Sequence, residues 1–92
     1  MSLSRALEAM LLMVTEPVST DELAASLDAP SAQVEAELEQ IADFYETHDR
    51  GIRLRAVAGG WRFATTPDVS DVIEAWLVSD QRSRLTQAAL ET

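Results

Sequence analysis

Apolar positions recur at the helical period through Glu46, and the period then shortens to two. Leu3, Leu7, Met10 and Val14 share one face of a helix expected from Leu3 to about Thr15, and Ala6 and Leu11 widen that face. Glu16-Pro17 ends it, because proline drives its predecessor out of the helical region. Val18 follows as a short extended residue. Ser19-Thr20-Asp21-Glu22 has capping-box spacing, with Ser19 bonding the Glu22 amide and Glu22 reaching back to Ser19. It opens a second helix to about Leu27 that buries Leu23, Ala24 and Leu27. After the break at Asp28-Ala29-Pro30, Val34, Leu38, Ile41 and Tyr45 mark a long amphipathic third helix ending near Glu46.

Ile52, Leu54 and Ala56 then alternate with Arg53, Arg55 and Val57. Ala58-Gly59-Gly60 is a turn, and Trp61 and Phe63 alternate with Arg62 and Ala64 on the return strand. The result is a hairpin with one apolar face and one arginine face. Thr66-Pro67-Asp68 reads as a helix start. A fourth helix follows with Val69, Val72, Ile73, Trp76 and Leu77 on one side, expected to join the core. The polar run from Val78 to Arg84 reads as a linker or a frayed helix end, and helical spacing resumes at Leu85.

This order is a winged helix-turn-helix: an α+β fold, mainly helical, with a two- to three-stranded antiparallel β-wing. Its 92 residues allow one small domain. With no cysteine there is no disulfide framework and no thiolate metal site, and a reducing compartment is expected. No apolar run approaches the roughly 18 residues of a membrane span.

Leu12 lies off the buried stripe of the first helix, between Arg5, Glu8 and Ala9 on the wheel, with Met13 beside it. These five are the candidate contact with another chain. The alternative is a single exposed leucine of the kind common on monomer surfaces.

Charge changes the functional picture. Sixteen acids against seven arginines give a formal net charge of -9. The helix that would enter a DNA groove carries Glu35, Glu37, Glu39, Asp43 and Glu46 and no basic residue. It would meet phosphate repulsion on both sides. Only Arg53, Arg55 and Arg62 of the wing offer cations for weak DNA contact, and ion pairing with the helix acids is the favoured use for them. His48 has no second histidine to share a metal, and no nucleophile has an identifiable base. The expectation is a protein-contact module without catalytic activity or cofactor; the alternative is a winged-helix transcription regulator.

"RALEAMLLMVTEPVSTDELAASL" (5–27), "RGIRLRAVAGGWRFATTP" (50–67) and "RLTQAALET" (84–92) together resemble segregation and condensation protein B, a bacterial subunit of the SMC–kleisin chromosome-organising complex. The resemblance implies tandem winged-helix domains, homodimerisation through the first, and binding of the kleisin ScpA mainly through the second. Through the kleisin it implies a link to SMC, a role in chromosome condensation and segregation, and a cytoplasmic, nucleoid-associated location. Residues 1–78 would be the dimerising domain, and 79–92 a linker and the truncated first helix of the next.

Overall fold

The structure is a computed structural model that describes the backbone of residues 2–91 and the side chains of residues 2–81. Arg82, Arg84 and the side chains of the closing segment therefore lie outside it. Three helices, α1 (Leu3–Leu12), α2 (Thr20–Leu27) and α3 (Ser31–Thr47), precede the wing strands β1 (Ile52–Val57) and β2 (Gly60–Thr65). A 3-10 turn (Pro67–Val69) leads into α4 (Ser70–Glu91).

The first three helices and the wing close around one core. Leu7 and Leu11 of α1, Leu23 and Ala24 of α2, and Val34, Leu38 and Ile41 of α3 are buried against Leu54 and Trp61 of the wing. Helix α1 stops at Leu12, earlier than the expected Thr15, with Met13 as its C-cap. The β-branched pair Val14-Thr15 and the approach to Pro17 favour extended backbone there. The Ser19 hydroxyl accepts from the Glu22 amide at 3.1 Å, the first half of the predicted capping box. The reciprocal bond from Glu22 is not formed among the described residues. The turn between α2 and α3 is made by Asp28 in the left-handed region at φ 50°.

In the wing, Leu54 faces Phe63 and Arg55 faces Arg62 across an antiparallel ladder. Its third strand is a single residue. Val18 and Trp61 exchange both backbone bonds, at 2.9 and 2.8 Å. This close approach requires glycine at position 60, where φ is +138° and a Cβ would fall 2.1 Å from the Val18 carbonyl oxygen. Thr66 stands at the N-cap of the 3-10 turn, as its sequence suggests, but its side chain makes no capping bond. Its amide and hydroxyl both donate to the Gly51 carbonyl, at 2.9 and 3.3 Å, and close the base of the hairpin.

Helix α4 departs most from expectation. It does not join the core: Val72, Trp76, Leu77 and Val78 are all exposed, and among its described apolar residues only Ile73, with Val69 of the preceding turn, is half-buried. Nor does its backbone break at the polar run, since the helix is continuous from Ser70 to Glu91. The radius of gyration, 17.2 Å, exceeds the roughly 12 Å of a compact chain of this length, as an outstretched helix requires.

Candidate protein-interaction surfaces

Two apolar surfaces lie open. On α1 and just beyond it, Leu12 is 74% and Met13 81% exposed. Beside Met13, a cleft of about 360 Å³ opens between Met10, Val14, Val18 and Leu23. On α4, Val72 is 72% and Trp76 65% exposed, one turn apart on the same side of the helix. Isolated exposed leucines are ordinary on protein surfaces; here large apolar side chains are grouped on two elements.

Of the residues grouped with Leu12 by the sequence, Arg5, Ala9 and Met13 are exposed beside it. Glu8 is exposed as well, and its carboxylate is bonded. The Tyr45 hydroxyl of α3 donates to its carboxylate at 2.5 Å. That bond to Glu8, together with burial and the carboxylate charge, pushes the Tyr45 phenol above its ordinary value, against a smaller lowering by Arg50. Glu8 thus ties α1 to α3, which sequence spacing alone could not reveal.

The outer face of α3 carries Glu39, Asp43 and Glu46 at helical spacing, all exposed. Glu35, an acid of the same helix, is not on that exposed face. It is half-buried and accepts from the Thr20 hydroxyl at 2.5 Å. Thr20 in turn accepts from the Trp61 indole N–H at 3.2 Å, so one relay links wing, α2 and α3.

The wing arginines are not paired with the α3 acids. Arg53 donates to the carbonyls of Tyr45 at 2.9 Å, Arg50 at 3.1 Å and Ile52 at 3.3 Å. It neutralises the carbonyl end of α3, where a cation is favoured by the helix dipole. Arg55 and Arg62 are exposed, and among the described residues no carboxylate meets either. His48 is exposed at the end of α3, stacked on Phe44 with ring centroids 4.1 Å apart. Among the described residues no group of three or more acids, histidines or cysteines is arranged to hold a metal. No helix among them is long and apolar enough to cross a membrane.

A three-helix body, a wing, an acidic third helix and open apolar surfaces define a winged helix-turn-helix domain whose exposed chemistry suits polypeptide better than phosphate. The chain belongs to the family described as Segregation and condensation complex subunit ScpB, whose profile matches residues 5–92. It is 37% identical over 91 residues to segregation and condensation protein B of Moorella thermoacetica, covering 99% of this chain and 46% of that protein. Against the crystal structure of ScpB from Mycobacterium tuberculosis it has 42% identity and a TM-score of 0.85, covering 97% of this chain and 56% of that one. It also shares its fold with an ScpB N-terminal domain, crystallised as a dimer with an ScpA peptide, at 23% identity and a TM-score of 0.74 over 79% of this chain and 91% of that one. The chain spans about half the length of these longer relatives.

Proposed function

We propose that this chain pairs with a second copy of itself and forms the dimerising part of a non-catalytic subunit of a bacterial SMC–kleisin complex. In the whole protein that subunit holds the kleisin ScpA and through it acts on SMC in chromosome condensation and segregation, which places it at the nucleoid. The observation that carries the reading is the pair of open apolar surfaces, Leu12 and Met13 on α1 and its end, and Val72 and Trp76 on α4. A chain with net charge -9 gains little by exposing these to water, and burial contributes about 25 cal/mol per Å² of apolar area. Leu12 and Met13, with Arg5, Ala9 and the rim residue Glu8, form one half of the contact. Residues 1–78 make the dimerising domain, and 79–92 lead toward the second. Family membership supports the partner, as does the dimer with an ScpA peptide in the N-terminal domain of similar fold.

The test of the subunit role is co-expression of the full-length protein with its kleisin. A complex that survives gel filtration is expected. Separate elution of the two proteins at micromolar concentration overturns the role.

A further inference from the structure

We infer that the outer face of the wing, centred on Arg55 and Arg62, is a docking site for an extended acidic polypeptide segment. The inference is independent of the pairing through α1 and α4.

The ladder places Arg55 directly opposite Arg62. The inward positions on either side of this pair hold Leu54 and Trp61, both buried, so the two guanidinium-bearing positions point away from the core. Like charges placed directly opposite destabilise a sheet. This chain has sixteen acids to draw on, yet among the described residues none meets either arginine. The third wing cation, Arg53, shows what satisfaction looks like, with three backbone carbonyls as partners. Arg55 and Arg62 remain an adjacent pair of forked donors, the geometry that receives carboxylates two bonds at a time. Val57 and Ala64 lie on the same outward rows and give the face small apolar ends.

Charge complementarity selects an anion, and the neighbourhood selects its form. Arg53 holds β1 beside the C-terminal half of α3, whose outward stripe is Glu39, Asp43 and Glu46. A duplex, with one charge per about 1.7 Å of its axis, would bring phosphates against that stripe as well as to the wing. A single extended chain occupies a width of about 4.8 Å and can follow the wing alone. Laid across the two strands, it would bring acidic side chains at alternate positions over the two arginines, which face each other across the ladder.

The probe is a capped ten-residue peptide alternating Glu and Ser, titrated into the isotope-labelled chain at low ionic strength, with a Gln–Ser peptide and a 20-base-pair duplex as comparisons. The side-chain N–H signals of Arg55 and Arg62 should shift with the Glu peptide and stay still with the Gln peptide. Arg55→Gln with Arg62→Gln should weaken Glu-peptide binding at least tenfold, while Arg50→Gln changes it less than twofold. The double variant should also melt no lower than the unmodified chain, since it removes a repulsion. Equal binding of the Gln peptide, no loss in the double variant, or tighter binding of the duplex than of the Glu peptide overturns the inference.

Discussion

Trp61 and Val18 exchange both of their backbone hydrogen bonds across a one-residue bridge, while the Trp61 indole reaches past Val18 to the hydroxyl of Thr20. The wing is thereby fastened to the entrance of α2 at the point where the turn brings two backbones into contact. Glycine at position 60 is the condition for that contact.

Gly60→Ala should therefore be among the most damaging small changes in the chain. The left-handed backbone alone costs about 1–3 kcal/mol, and the added Cβ collides with the Val18 carbonyl. Urea denaturation should show this loss together with a red-shifted Trp61 emission. Gly51→Ala, where nothing lies within 4 Å of the new Cβ, should change stability far less.

The single tyrosine makes the α1–α3 tie measurable. The Glu8 bond raises the Tyr45 pKa, so the folded phenol should ionise above the ordinary value of about 10. The sign follows from linkage: stability from this bond is complete below the unfolded value and is lost as pH rises through the folded one. Ultraviolet titration of the phenolate should give the raised value. Tyr45→Phe should remove this group's share of the alkaline loss. A phenol ionising at or below the ordinary value contradicts the bond.

Arg53 and Arg55 look alike in sequence and should differ in effect. Arg53→Leu breaks charge-assisted bonds to the Tyr45 carbonyl in the last turn of α3 and to the Arg50 carbonyl in the loop after it, and a loss of about 1–2 kcal/mol is expected. Arg55→Leu removes an exposed side chain that meets no partner among the described residues, and the change should stay within about 0.5 kcal/mol. Thermal melts of the two variants side by side check this.

Core and outstretched helix should separate in the same way. Leu38→Ala empties a fully buried site and should cost about 2–5 kcal/mol. Val72→Ala should leave the unfolding of the single chain nearly unchanged while weakening its association, read by comparing melts across protein concentration.

These contrasts mark how much the sequence disclosed. The stripes of α1, α2 and α3 and the alternation of the hairpin were legible because the same domain buries them. The stripe of α4 has the same period, but periodicity reports that a face is apolar and not that its own domain buries it. The run from Ser79 to Arg84 suggested a break because its residues are polar, although polar and charged residues are ordinary on an exposed helix. The tie between Glu8 and Tyr45 spans 37 positions, and the Arg53 contacts end on backbone carbonyls. Neither leaves a mark in spacing. Leu12 was legible as an off-stripe residue, and its open position agrees.

Sedimentation equilibrium of the chain over a concentration series tests the central claim most directly. The account predicts a mass approaching twice 10.1 kDa at tens of micromolar, falling to 10.1 kDa in Leu12→Asp with the helical circular dichroism unchanged. A mass that stays at 10.1 kDa up to millimolar concentration would contradict it.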